Sequence, residues 1–140
     1  CGFTAWRNFQ KILPVTDMIL YDLKHMDPEI HKKICRKSNK IILENLKKLA
    51  ATDLKKIIIR IPVIPGINDS IKNIQNTAYF VSKLNVKEIN LLPYFKYHLK
   101  KYDRLNREYE LLNLNPPAEE EMFRLKSVFE KYDLNVQIGG

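Results

Sequence analysis

The 140-residue chain is long enough for one domain with a real core, since 45% of its residues are apolar. Lys and Arg number 24 against 16 Asp and Glu, a formal charge of +8, which admits nucleic acid, an anionic cofactor or an acidic protein as partner, or simply a solvated lysine-rich face. No stretch approaches the roughly 20 apolar residues of a membrane helix, no signal-peptide pattern opens the chain, and two cysteines are too few for a disulfide framework, so the chain reads as a soluble cytoplasmic protein with reduced thiols.

Taken in chain order, "CGFT" holds no start residue and reads as a piece of something longer. "TAWRNFQKIL" forms a short helix with Thr4 as N-cap and Trp6, Phe9 and Leu13 on one side, and Pro14 blocks its continuation. The first strand spans about Met18 to Leu23. Asp27-Pro28 opens a short helix through Ile34, and Ser38 or Asn39 caps a second with an apolar stripe of Ile42, Leu46, Leu49 and Ala50. Glu44 and Lys48 are spaced to pair on its outer face.

"KKIIIRIPVIP" is a β-branched second strand closed by proline, and "PGINDS" is a turn whose glycine serves the turn rather than a phosphate loop. Asp69 or Ser70 caps a helix bearing Ile71, Ile74, Ala78, Val81 and Leu84, and "KEINLLPY" is the third strand. The polar segment 95–117 has no periodicity and reads as a functional loop, its aromatics tucked inward as a lid or stacking bases. Pro116 and Pro117 start a helix whose stripe is Met122, Leu125, Phe129 and Tyr132, with Glu119, Glu120 and Glu121 complementing its dipole. "LNVQIGG" is the fourth strand. Strands recur about 30 residues apart, the length of a βαβ unit, so the expected fold is α/β. A four-stranded parallel sheet follows, either open or as part of a barrel.

Ligands of parallel α/β folds bind beyond the carboxyl ends of the strands. Side chains alternate along a strand, so Asp22 and Lys24 share a face with Met18 and Leu20, and Arg60 lies between Ile59 and Ile61. Charges at a strand end are paired or face a polar ligand. One carboxylate and two cations at one mouth suit a zwitterion, with Arg60 taking a carboxylate bidentately and Lys24 acting as a movable charge. The purely structural alternative pairs Asp22 with Lys24 and leaves Arg60 to a helix carboxylate. His25, His31 and His98 have no metal-ligand spacing with one another or with the cysteines and read as surface or loop residues. Cys35 reads as a packed thiol. No metal ligand and no catalytic residue is assigned.

The runs "CGFTAW", "ILYDLKHMDPEIHKK", "SNKIILENL", "IIIRIPVIPGIND", "INLLPY", "LNPPAEEEM" and "VQIGG" resemble, in order and spacing, the glycyl-radical-enzyme activating proteins typified by the pyruvate formate-lyase activating enzyme. The resemblance covers nearly the whole chain. It implies a radical S-adenosylmethionine enzyme, in which a [4Fe-4S] cluster on a C-x3-C-x2-C motif cleaves the cofactor. The resulting 5′-deoxyadenosyl radical takes a hydrogen from a glycine of a partner enzyme. The implied fold is an incomplete TIM-type α/β barrel, of which residues 1–140 are the later part, a single domain without the cluster motif. The resemblance places cofactor binding on Asp22, Lys24 and Arg60, with Asp22 also in the place of a monovalent-cation ligand of some members.

Two departures stand out. Phe95 occupies the place of a family histidine and offers no donor, and family glycines are lost at His98 and Asn106. Cys1 and Cys35 cannot supply three cluster ligands, so the chain alone is expected to be inactive. An unpaired sheet edge, and with it dimerisation in isolation, is also expected. The alternatives are a non-catalytic, basic nucleic-acid-binding module and an aldolase fragment using Lys24 as a Schiff base.

Overall fold

Four strands pair in chain order as one parallel sheet: β1 (Met18–Asp22), β2 (Lys56–Val63), β3 (Glu88–Pro93) and β4 (Asn135–Ile138). The computed structural model describes residues 2–52, 56–96, 102, 104–106, 108, 109 and 111–140. Helix α1 (Trp6–Ile12) and a 3-10 turn over Leu13–Val15 precede β1, and α2 (Pro28–Cys35), α3 (Lys40–Ala50), α4 (Ile71–Ser82) and α5 (Glu119–Glu130) lie between the strands. The α/β alternation read from the sequence is the one observed. No helix among the described residues is long and apolar enough to cross a membrane.

Period-two alternation sorts the sheet into two faces. Tyr21 and Leu23, then Ile57, Ile59, Ile61 and Val63, then Ile89 and Leu91 are buried against Leu46 and Leu49 of α3, Ile74, Ala78 and Val81 of α4, and Leu125 and Phe129 of α5. Burying each such large aliphatic or phenyl side chain stabilises the fold by about 1.5–3 kcal/mol, so this layer dominates. The opposite face carries Met18, Leu20, Asp22, Ile58, Arg60, Asn90 and Leu92. Met18 and Leu20 there are 48% and 44% exposed, which marks this face as open to solvent.

The caps show where local reading succeeds. Asp27 accepts from the amides of Glu29 (2.8 Å) and Ile30 (2.9 Å) with Pro28 behind it, and Arg36, at φ 58°, ends α2 in the left-handed region. Ser70 caps α4 by accepting from the Asn73 amide.

Other local expectations are corrected. Ala5, not Thr4, is the N-cap of α1, while the Thr4 hydroxyl accepts from Asn8 Nδ2 at 2.7 Å. Asn39 sits at the N-cap of α3 but turns its side chain inward, and the Ser38 hydroxyl accepts weakly from the Lys40 amide at 3.4 Å. Glu44 and Lys48 form no ion pair, because Lys48 Nζ lies 5.7 Å from the Trp6 ring centroid instead. His25 and His31 are buried rather than at the surface, while His98 lies outside the described residues. Each buried imidazole has a main-chain partner: His25 Nδ1 accepts from the Asp27 amide (3.0 Å), and His31 Nδ1 bonds the Lys37 carbonyl (2.7 Å).

Candidate functional site

Strand register assembles a polar row. Asp22 stands opposite Arg60, Arg60 opposite Asn90, and Asn90 opposite Gln137, so one line of polar side chains crosses all four strands on the open face. Each is flanked by apolar neighbours that point into the core. Asn90 lies between Ile89 and Leu91, and Gln137 between Val136 and Ile138. This was the signal that singled out Arg60, and it would have found Asn90 and Gln137 as well. Gly140 lies close by: a Cβ there would stand 3.2 Å from Asn90 Nδ2.

Arg60 and Asp22 are joined. Nε donates to Asp22 Oδ1 at 2.8 Å and Nη2 meets the same oxygen at 2.7 Å. Because both guanidinium nitrogens use one oxygen, Asp22 Oδ2 and Arg60 Nη1 have no partner among the described residues. The pair therefore offers one acceptor and one donor group toward the open face, with side chains 22% and 35% exposed. The expectation that Asp22 might be consumed by Lys24 is not met: Lys24 forms no ion pair among the described residues. It stands two residues past Asp22, and its ammonium acts on Cys35 at the end of α2. Burial pushes the Cys35 thiol up, and Lys24 opposes that rise.

The end of β3 is tied to the loop that follows. The Tyr94 hydroxyl bonds the Tyr109 hydroxyl at 2.8 Å and donates to the Leu111 carbonyl at 3.0 Å, while the Tyr102 and Tyr109 rings lie 4.8 Å apart. Burial and the Tyr94 hydroxyl push the Tyr109 phenol up to about 12. Phe95 is half exposed. Asn106 has φ 51°, in the left-handed region that favours glycine and that asparagine tolerates. Gly66, at φ 72° in the turn after β2, donates its amide to Asp69 Oδ1 at 2.9 Å, as turn chemistry requires. No group of three or more His, Cys, Asp or Glu residues among those described could hold a metal ion. A groove of about 500 Å³ lined by Asp27, Lys47, Tyr79, Phe80 and Lys83 shares no residue with the polar row.

No protein-family model matches the chain. It is 36% identical over 142 residues to the trans-4-hydroxy-L-proline dehydratase activating enzyme of Clostridioides difficile, an alignment spanning 100% of this chain and 47% of that protein. It is 37% identical over 123 residues to the pyruvate formate-lyase 1-activating enzyme of Escherichia coli (strain K12), spanning 87% of this chain and 50% of that one. A solved domain of the pyruvate-formate lyase-activating enzyme from Bacteroides vulgatus superposes with a TM-score of 0.78 at 30% identity, over 96% of this chain and 74% of that structure. The chain belongs to the glycyl-radical-enzyme activating enzymes. In this radical S-adenosylmethionine family the four-stranded parallel sheet corresponds to part of a TIM-type barrel. The chain spans half the length, or less, of these curated relatives.

Proposed function

We propose that this chain supplies the polar half of an S-adenosylmethionine pocket in a cytoplasmic enzyme that generates a glycyl radical on a partner such as pyruvate formate-lyase. In this reading residues 1–140 are one domain, the later part of the barrel. The observation that carries it is the Asp22–Arg60 pair, which joins the last residue of β1 to the middle of β2 and keeps an acceptor and donors unspent on the open face.

The donor set fits the cofactor's methionine end. Asp22 Oδ2 can accept from its ammonium, Arg60 Nη1 can donate to its carboxylate, and Lys24 adds a mobile positive charge at the same mouth. Asn90 and Gln137 extend the row with groups that both donate and accept. S-adenosylmethionine, when bound beside a reduced cluster, supplies the hydrogen-abstracting power of this family. What these side chains do is bind and orient it.

The iron-sulfur cluster does not fit this chain. Two cysteines cannot provide the three thiolates of a [4Fe-4S] site with one open iron, so its ligands belong to another part of the enzyme and no step is assigned to it here. The test is product analysis with a strong reductant and S-adenosylmethionine. The full-length protein should yield 5′-deoxyadenosine and the isolated 140-residue chain none. Release of 5′-deoxyadenosine by the isolated chain would overturn the reading.

A further inference from the structure

The β1–β2 ladder stops at Leu23, whose amide still donates to the Arg60 carbonyl at 2.9 Å. The next rung would need an N–H from Pro62 to the Leu23 carbonyl, and proline has none. Lys24 therefore leaves the sheet immediately beyond the last rung. Among the described residues, Lys24, His25 and Met26 form no backbone–backbone hydrogen bond.

Three buried asparagines take over. Asn68, 2% exposed, donates from Nδ2 to the carbonyls of Lys24 (3.0 Å) and Pro62 (2.6 Å), and its Oδ1 accepts from the Ile64 amide (2.8 Å). One carboxamide thus bridges the ends of both strands where proline removed the rung. Asn39 donates to the carbonyls of His25 (2.9 Å) and Met26 (2.7 Å). Asn73 accepts from the Met26 amide (2.9 Å) and donates to the Asn68 carbonyl (2.7 Å). The segment carrying Lys24 is held by side chains from the turn after β2, from α3 and from α4.

We infer that Asn39, Asn68 and Asn73 form a carboxamide clamp that positions Lys24 at the strand mouth and sets cofactor affinity through that lysine without touching the cofactor. This rests on the cofactor reading of Lys24 given above. A lysine head on a flexible four-carbon stem sweeps a wide volume, and only a fixed Cα confines its charge to one mouth. The Asn68 bond is made to the carbonyl of Lys24 itself, which is the most direct anchor available to that residue.

A double-mutant cycle on S-adenosylmethionine binding tests this in the full-length protein carrying the chain, by calorimetry. Asn68→Ala should weaken binding about ten-fold, Lys24→Ala at least as much, and the double variant no more than Lys24→Ala alone. Should Asn68→Ala not fold, Asn39→Ala, which leaves Asn68 in place, takes its position in the cycle. A purely architectural asparagine would give losses that multiply in the double variant, and that result, or unchanged binding in Asn68→Ala, overturns the clamp. Unchanged binding in Lys24→Ala overturns instead the assignment of Lys24 to the cofactor, and the clamp's role with it.

Discussion

Asp22 and Arg60 face each other on adjacent parallel strands, and two guanidinium nitrogens, Nε at 2.8 Å and Nη2 at 2.7 Å, converge on the single oxygen Oδ1. Side chains this open to water gain little from such a pair, about 0–1 kcal/mol. Asp22→Ala in the isolated chain should therefore lower unfolding stability by no more than about 1 kcal/mol, whereas Phe129→Ala in the core should cost about 3–5 kcal/mol. Urea unfolding compares the two. A loss at Asp22 as large as that at Phe129 would make the pair a structural element.

Gly2 packs directly on the buried Tyr21 side chain, where any Cβ would overlap the hydroxyl. That hydroxyl is committed to the Ile42 carbonyl at 2.7 Å, and Asn45 Nδ2 fixes the Gly2 and Thr4 carbonyls at 2.9 and 2.8 Å. With so little room to give, Gly2→Ala should destabilise the chain by about 1–3 kcal/mol. The ring carbons beside that hydroxyl crowd the same point, so removing the hydroxyl alone gives no relief, and a Gly2→Ala variant as stable as the parent would contradict this packing.

His25 sets a pH limit. Burial holds its imidazole below the ordinary value of 6.5, against the pull of the nearby Asp27 carboxylate and with a smaller contribution from His31 in the same direction as burial. Nδ1 accepts the Asp27 amide and so carries no proton. The unfolded chain binds a proton here at higher pH than the folded one does. The His25 contribution is thus complete above pH 6.5 and declines as pH falls from 6.5 toward the depressed folded value. Unfolding free energy measured between about pH 7.5 and 5 should fall with acidification, and His25→Asn, which keeps an acceptor near the Nδ1 position, should flatten that slope. An equal slope in both proteins would remove His25 from the account.

Cys35 reports the position of Lys24. Its thiol is raised by burial, and the Lys24 ammonium counteracts this. In a Cys1→Ser background, Lys24→Ala should slow alkylation of Cys35 at pH 8 by about two- to five-fold, since only the thiolate reacts. Unchanged kinetics would place the lysine head elsewhere.

Much of this architecture is legible in the chain. The run of isoleucines in β2, the stripe Ile42–Leu46–Leu49 and the Asp27 and Ser70 caps are local patterns, and the fold follows them. The register that sets Asp22 against Arg60 is not local, because spacing along the chain does not say which rungs pair. The buried asparagines were hidden for a related reason. Asn39 reads as a cap and Asn68 as turn chemistry, since what buries them is the free carbonyls of Lys24, His25 and Met26, which come from another part of the sequence. Pro62 inside a strand was the available clue: without its N–H the β1–β2 ladder ends, and the carbonyls of Lys24 and Pro62 beyond that point take their donor from a side chain. Lys48 left Glu44 for Trp6 because α1 lies beside α3, which helix periodicity alone does not reveal.

The central claim is that the open mouth formed by Asp22, Lys24 and Arg60 holds S-adenosylmethionine. Calorimetric titration of the cofactor into the full-length protein addresses it most directly, comparing the parent with Asp22→Ala, Arg60→Ala and the remote surface variant Lys131→Ala. We predict about ten-fold or greater loss of affinity in the first two and none in the third, the effect of removing a charged partner of a zwitterion. Parent-like affinity in both Asp22→Ala and Arg60→Ala would contradict it.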